Sequence, residues 1–193
     1  MAKKILIIAG DYVEDYELMV PYQAMLSIGL EVDVMAPSRN KGDIIPTAIH
    51  DFVGDQTYTE LRGHNFEINV DYNKVDPEAY DALYLPGGRA PEYIRLNQRV
   101  IEITRHFFDK NKPVLAVCHG IQILTTAGVL KGRSLTAYMA VGPDIELAGG
   151  TWENVSVDEA VVDGNLVTSP AWPGHPAMLN EFYKLLGITI SHG

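Results

Sequence analysis

Short apolar runs that end at a glycine or a polar turn recur along this chain and alternate with segments of helical periodicity. Four of the runs are typical of strands in a largely buried sheet: Lys3–Gly10, Leu30–Ala36, Tyr80–Gly88 and Lys112–Cys118. Short connections join them to segments whose apolar residues recur every three or four positions. This alternation of strand and helix predicts a parallel sheet sandwiched between helices.

Three helical segments are recognisable, and two of them have predicted bounds. The first helix is predicted over Glu17–Ser27, where Pro21 belongs in a first turn and moves the expected start to near Met19. A second helix is predicted over Gln98–Asp109, and a third follows the strand that ends at Cys118. The side chains expected to face the core in the first two helices are Leu18, Tyr22, Met25, Leu26, Val100, Ile103 and Phe107.

Two segments interrupt the alternation. Residues 37–69 are polar, rich in Gly and Asp, and poorly periodic, which predicts an excursion with one or two short antiparallel strands such as FEINV. Near the end of the chain, Asp163-Gly164 lies between two alternating runs and predicts a β-hairpin. Because neither repeats nor linkers are evident, residues 1–193 are expected to form a single domain.

Composition excludes several classes of partner. The chain has 193 residues, of which 47% are hydrophobic and 21% charged, and its formal net charge is −10. Since the acidic residues are dispersed and no basic face is evident, nucleic acid is not expected to bind. No segment approaches the ~20 apolar residues of a membrane span, and the first apolar run is too short for a signal peptide. A cytoplasmic protein with no membrane contact is therefore expected.

Cys118 is the one cysteine in the sequence, and it lies where a predicted strand meets a predicted helix. Sites in open parallel sheets form at the carboxyl ends of strands. The free N–H groups and dipole of the following helix favour a thiolate, so we expect a lowered pKa for Cys118. A tight turn of this kind is the nucleophile elbow of serine hydrolases. A lone cysteine after VLAV is also typical of a buried core position.

Two other predicted strands end in reactive or unusual residues. The first is followed by GDYVEDYE, whose Asp11, Asp15 and Glu17 are typical of a solvated loop, although one inward carboxylate would be an acid–base partner for the thiol. Another ends at Gly87-Gly88, a tight turn whose N–H groups could complete an oxyanion site. Because these ends share one edge of the sheet with Cys118, they favour an active site there.

The motifs LPGGRAPE and AVCHG, about thirty residues apart and preceded by VEDYE, resemble the ThiJ/PfpI superfamily. The resemblance extends over nearly the whole chain through AGVLKGR, AGGTW and DGNLVTS. RGHNFE, TAYMAV and AWPGHP are similar to single domains of the plant tandem-domain members, which are glutathione-independent glyoxalases. This resemblance implies an α/β fold with a flavodoxin-like sheet, of the class I glutamine amidotransferase type.

The resemblance also implies residue roles. The family's nucleophile matches Cys118, and the glutamate that hydrogen-bonds its sulfur matches Glu14. The histidine after the nucleophile matches His119, whose backbone N–H joins that of Gly88, beside Gly87, in the oxyanion site.

Some positions depart from the family pattern or leave their role open. Val13 replaces an aromatic residue, and Met139 replaces a proline in the predicted pocket wall. His64 and His175 either line the pocket and position a substrate or are structural histidines. No pair of His or Cys has the spacing of metal ligands, so no metal is expected. The histidines without any functional signal are His50, His106 and His192.

The function implied by the resemblance is a glyoxalase that needs no cofactor. The Cys118 thiolate would add to the aldehyde carbon of methylglyoxal or glyoxal, and Glu14 would move a proton between the two former carbonyl carbons to give lactate or glycolate. A PfpI-type cysteine peptidase, amidase or deglycase would instead use His119 as base, with Glu92 of a neighbouring subunit orienting it. A redox-sensing chaperone without turnover is a third alternative. The family match of Glu92 implies a homodimer, or a hexamer of three dimers.

Overall fold

A computed structural model describes residues 2–191 and shows an α/β architecture. Its strands, in chain order, are β1 Lys4–Ile8, β2 Val13–Glu14, β3 Glu31–Met35, β4 Ile44–Ile49, β5 Leu61–Glu67, β6 Ala82–Leu85, β7 Val114–Val117, β8 Ser134–Leu135, β9 Thr151–Trp152, β10 Val161–Asp163 and β11 Leu166–Ser169. Its helices are α1 Asp15–Ser27, α2 Ala90–Ile94, α3 Gln98–Asp109, α4 Ile121–Ala127, α5 Gly142–Leu147 and α6 His175–Leu185. None of the helices in this part of the chain is long and apolar enough to cross a membrane.

The central sheet has six strands in the spatial order β10-β11-β7-β6-β1-β3. All neighbouring pairs are parallel except β10–β11, the hairpin predicted at Asp163-Gly164. Read from β3, the five parallel strands have the flavodoxin-like order. In this order β3 lies on one side of β1 and the later strands lie on the other, so the direction in which strands are added reverses beside β1. The predicted fold class is therefore confirmed, and the carboxyl ends of β1, β6 and β7 meet at one edge of the sheet.

The α3 helix has the bounds that the periodicity predicts. Val100, Ile103 and Phe107 are buried on its inner face, because a spacing of three and four residues puts them on one stripe. The core between the sheet and the helices is made mainly of branched aliphatic side chains from the strands. That rigid layer fixes where each strand ends, and so where each turn residue lies.

The α1 helix begins earlier than predicted. It starts at Asp15 and contains Pro21 in its interior, so the expected start near Met19 is wrong. A proline donates no hydrogen bond to the carbonyl four residues earlier, here that of Glu17. The Tyr84 hydroxyl donates to this carbonyl at 2.5 Å and replaces the missing bond. Of the four side chains expected to face inward, Leu18 and Met25 are buried and Tyr22 is half-buried, but Leu26 is exposed.

The polar excursion is confirmed as an antiparallel pair, β4 and β5, although FEINV contributes only its first two residues to β5. The short strand β2 pairs with β4 and thereby attaches the excursion to the start of α1. The segment between β4 and β5 consequently reaches over the carboxyl edge of the central sheet, next to Cys118.

Candidate active site

Cys118 occupies a strained turn between β7 and α4. Its φ is +56°, in the left-handed region that a residue with a side chain rarely adopts. A 3-10 turn over Cys118–Gly120 leads directly into the helix. A Cβ on Gly120 would overlap the carbonyl oxygen of Leu85 in β6, so only glycine lets the turn lie this close to the sheet. The sequence prediction of a nucleophile elbow matches this geometry.

The glycine turn after β6 lies against this elbow. Gly88 has φ +77°, and a Cβ there would overlap the backbone of Glu14. A Cβ on Gly87 would lie 2.6 Å from Glu17 Oε2 and 2.8 Å from the His119 nitrogen. The backbone N–H groups of Gly88 and His119 lie close enough to the Cys118 sulfur to favour its thiolate form. The two donors that the sequence proposed for an oxyanion site are thus brought to one point.

The carboxyl beside the sulfur belongs to Glu17 and not to Glu14. Glu17 is fully buried, its Oε2 accepts the N–H of Gly87 at 2.8 Å, and the Cys118 thiol lies close enough to lower the pKa of its carboxyl. Its other oxygen, Oε1, is buried without a hydrogen-bond partner in the described part of the chain. Glu14 instead caps α1, where its Oε2 accepts the N–H of Glu17 at 2.7 Å. The assignment of Glu14 to the sulfur is therefore wrong.

The cause of that error is helical geometry. The helix begins at Asp15, so Glu17, Pro21 and Met25 share its buried face at intervals of four residues. Asp15 is also buried and accepts bonds from Thr47 and from the N–H of His64. The acidic cluster that is typical of a solvated loop is thus largely internal. A predicted start at Asp15, two residues before Glu17, would have shown Glu17 facing inward.

Burial dominates the electrostatics of these groups. It raises the pKa of Glu17 well above its ordinary value, with a further contribution from the charge of Glu14. It also raises the pKa of Glu14 to about 7. For Cys118, burial and then the charge of Glu17 raise the pKa, and the N–H groups of Gly88 and His119 only partly oppose this. The expected lowering of the thiol pKa is therefore wrong, because desolvation outweighs those two donors.

The ring of His119 folds back over the thiol. Its Nδ1 lies 3.2 Å from the Cys118 sulfur, so adjacency in sequence does not prevent the contact. The ring stacks on Tyr138 with centroids 5.1 Å apart, and the Tyr58 hydroxyl lies 3.5 Å from its Nε2. Burial and the neighbouring His50 lower the pKa of His119 to about 4. The imidazole is therefore neutral near pH 7 and can accept a proton.

These groups open into a narrow cleft whose interior volume is about 20 Å³, room for about one water molecule. Its walls are largely aromatic and come from segments that the sequence analysis did not assign to the site. The residues that line it are Glu14, Glu17, His50, Phe52, Tyr58, Gly88, Cys118, His119, Tyr138, Ala171 and Trp172.

The histidines are distributed differently from expectation. His64 is exposed, and its Nδ1 lies 3.2 Å from Asp15 outside the cleft. His175 is buried at the start of α6, also outside the cleft, and burial lowers its pKa to about 4. Of the two alternatives left open for them, lining the thiol cleft is excluded for both. His50, which carried no sequence signal, does line it, with its Nε2 3.1 Å from Glu60. His106 pairs with Glu78 elsewhere, and His192 lies outside the described residues.

Glu92 is exposed in the first turn of α2. Its charge contributes to raising the pKa of Tyr58 to about 12, which places it near the rim of the cleft. Within residues 2–191, no group of three or more His, Cys, Asp or Glu side chains is arranged to hold a metal ion.

Comparisons with known proteins agree with this geometry. A profile of the DJ-1/PfpI family matches residues 3–185. Protein DJ-1 homolog D of Arabidopsis thaliana is 51% identical over 190 residues, which cover 98% of this chain and 49% of that protein. Deglycase PfpI of Pyrococcus furiosus is 41% identical over 188 residues, covering 95% of this chain and 99% of that protein.

A two-domain protein from Anabaena variabilis, with DJ-1/ThiJ/PfpI-like and ferritin-like domains, has a similar structure. The TM-score is 0.79 and the sequence identity is 28%, and the match covers 96% of this chain and 48% of that one. The chain thus spans about half the length of its Arabidopsis relative and nearly all of its Pyrococcus relative.

Proposed function

The chain belongs to the DJ-1/PfpI family, and we propose that it is a glutathione-independent glyoxalase that converts methylglyoxal to lactate and glyoxal to glycolate. One observation carries the proposal: a thiol, a neutral imidazole and a buried carboxyl converge in one cleft. The relative that covers nearly its whole length is named a deglycase, which also supports reactive-carbonyl chemistry.

The first step is addition of the thiol to the aldehyde carbon. His119 takes the thiol proton as the bond from sulfur to carbon forms, because its imidazole is neutral and 3.2 Å away. The N–H groups of Gly88 and His119 stabilise the oxyanion. Glu17, protonated because its pKa is raised, then gives its proton to that oxygen. The product is a hemithioacetal, with Glu17 ionised and His119 protonated only transiently, because their pKa values favour return of the proton to Glu17.

The second step moves hydrogen between the two substrate carbons. The Glu17 carboxylate removes the hydrogen of the hemithioacetal carbon while His119 protonates the neighbouring carbonyl oxygen, which gives an enediol. Glu17 then returns the proton to the second carbon, and His119 recovers one from the first hydroxyl, leaving a 2-hydroxy thioester. Water hydrolyses the thioester and gives its second proton to the solvent; the thiolate regains its proton from His119, and the new acid reprotonates Glu17.

The test is turnover of methylglyoxal by the purified protein without glutathione or added metal, followed as lactate. Cys118→Ala is expected to abolish lactate formation, and Glu17→Gln to lower kcat by about 100-fold or more. Glu14→Gln is the matched control, since it removes a buried carboxyl one helical turn away that does not touch the sulfur, and a much smaller loss is expected. Equal losses in the two glutamine variants would contradict the assignment to Glu17, and lactate formation by Cys118→Ala would contradict the mechanism.

A protein deglycase is the second candidate, because Deglycase PfpI aligns with nearly this whole chain. The same thiol would attack the carbonyl fragment while it is bound to an amine or guanidine group. Lactate released from pre-formed adducts of methylglyoxal with N-acetylarginine, after free methylglyoxal is removed, would support this activity. Lactate release no faster than the spontaneous decay of the adduct would exclude the deglycase activity and leave the glyoxalase as the proposed function.

A further inference from the structure

A larger groove lies beside the thiol cleft and continues from it. Its interior volume is about 340 Å³, against about 20 Å³ for the cleft. Phe52, Tyr138, Ala171 and Trp172 line both spaces, so a molecule attached at Cys118 can extend from one into the other. We call this space the apolar groove, lined by Phe52, Thr136, Ala137, Tyr138, Met139, Asn154, Val155, Val157, Pro170, Ala171, Trp172 and Pro173.

The lining of the apolar groove indicates what it can hold. None of these residues is acidic, basic or a histidine, so the groove offers no counter-charge to a charged substituent. Phe52, Met139 and Val157 expose 60%, 66% and 54% of their surface, an apolar area that a bound apolar group would cover. The polar groups of the lining are uncharged: the hydroxyls of Thr136 and Tyr138 and the amide of Asn154.

We infer that the apolar groove binds the substituent of the substrate, and that the preferred substrates are 2-oxoaldehydes with an uncharged aromatic or medium-length alkyl group. This inference rests on the glyoxalase function proposed above. The aldehyde carbon lies at Cys118, and the substituent crosses Tyr138 and Trp172 into the groove, where a ring packs edge-to-face or offset against aromatic walls. For phenylglyoxal, the net reaction consumes one water molecule and yields mandelate and a proton.

Methylglyoxal covers little of this groove, because its substituent is a single methyl group. Filling an apolar site with additional carbon atoms strengthens transition-state binding by tenfold or more. We therefore expect kcat/KM for phenylglyoxal to exceed that for methylglyoxal by at least about tenfold. The carboxyl-bearing analogue 4-carboxyphenylglyoxal, of similar shape, is expected to lose this advantage because its charge enters a groove without a counter-charge.

The experiment measures the ratio of the two kcat/KM values in variants of the groove. Met139→Asp and Val157→Asp place a carboxylate at exposed positions of the lining, and each is expected to lower the phenylglyoxal to methylglyoxal ratio by about tenfold. Leu147→Asp is the matched control, since Leu147 is 88% exposed and lies outside the groove, and it is expected to preserve the ratio. A wild-type ratio near one, or a ratio unaffected by both groove variants, would overturn the inference.

A binding measurement separates this inference from the proposed function. Acetophenone, which lacks the aldehyde carbon, is titrated calorimetrically into Cys118→Ala and into Cys118→Ala with Met139→Asp. Binding that the second substitution weakens about tenfold or more supports the groove even if no 2-oxoaldehyde is turned over, in which case only the glyoxalase function fails. Turnover of methylglyoxal without acetophenone binding refutes the groove and leaves the glyoxalase function standing.

Discussion

At Cys118, neighbouring groups act on the protonation of one sulfur atom in opposite directions. The N–H groups of Gly88 and His119 favour the thiolate, whereas burial and the charge of Glu17 favour the thiol. The second pair of effects is larger, so the pKa of the thiol is raised. In the proposed mechanism, activation therefore accompanies substrate addition, when His119 takes the proton, and needs no resting thiolate.

The balance at the sulfur predicts how the thiol titrates. Because the charge of Glu17 raises the pKa of Cys118, Glu17→Gln should shift the thiolate titration to lower pH. Glu14→Gln should shift it less, since the charge of Glu14 is the smallest contribution to the raised pKa. The ultraviolet absorbance of the thiolate measures both titrations without ambiguity, because the chain has one cysteine. A higher thiol pKa in Glu17→Gln than in the wild type would mean that Glu17 stabilises the thiolate instead.

The sequence predicted some of these residues and missed others for an identifiable reason. Cys118, His119 and Gly88 are specified by short contiguous motifs at strand ends, and a strand end has one position in a parallel sheet. Glu17 depends on the exact start of α1, which a local pattern does not determine. The sign of the thiol pKa shift depends on how deeply the folded protein buries the sulfur, and no sequence pattern gives that depth.

At the scale of the element, α3 and α1 show when periodicity is sufficient. The bounds of α3 follow from its apolar stripe and from Asn97, whose side chain accepts the N–H of Val100 and caps the helix. In α1, the proline that predicted a late start is tolerated in the interior because Tyr84, 67 residues away, donates to the freed carbonyl of Glu17. Compensation over such a distance becomes visible only in the folded chain.

The elbow itself is an element whose shape can be tested. Gly120→Ala places a methyl group against the Leu85 carbonyl, so the turn must move away from β6 and carry Cys118 with it. We expect a loss of about 100-fold in kcat/KM for methylglyoxal, the cost of misplacing a reacting group by about 1 Å. Gly128→Ala is the control: its φ of +71° makes alanine strained by about 1–2 kcal/mol, but no atom lies within 4 Å of an added Cβ.

The two glycine variants should therefore separate stability from activity. Urea unfolding is expected to show destabilisation of both proteins, and the methylglyoxal assay to show loss only in Gly120→Ala. Wild-type activity in a folded Gly120→Ala would show that the elbow tolerates displacement, contrary to the packing observed against Leu85.

On the scale of the whole molecule, the site is assembled from parts that are far apart in sequence. Tyr58 comes from the segment between β4 and β5, Tyr138 follows β8, and Trp172 follows β11. Each is an ordinary aromatic residue in its local sequence, and only the sheet topology brings the three to the edge that holds Cys118. The parallel sheet was predictable from alternation, and its flavodoxin-like type was implied by the family resemblance, whereas this aromatic wall was not predicted.

The surface beside the cleft suggests how a second copy of the chain could complete it. Glu92 is exposed on α2, and its neighbours Tyr93 and Leu96 expose 44% and 80% of their surface. A rim that combines exposed apolar side chains with charged groups has the composition of a protein interface. We therefore retain as a proposal the dimer, or hexamer of dimers, in which Glu92 approaches Cys118 and His119 of a neighbouring subunit.

Subunit mixing tests this shared site. Cys118→Ala and Glu92→Ala are each expected to be weak or inactive, because every site in either homodimer lacks one of its two contributors. Remixed at equal amounts and allowed to exchange, half of the dimers contain both variants, and each of these has one intact site out of two, so about a quarter of the wild-type activity should return. The matched control is Glu102→Ala, an exposed glutamate of α3, which should retain activity alone because it lies away from the cleft. Light scattering that shows a monomer, or mixing that restores no activity after complete exchange, would place Glu92 on a free surface and make the cleft of a single chain the whole active site.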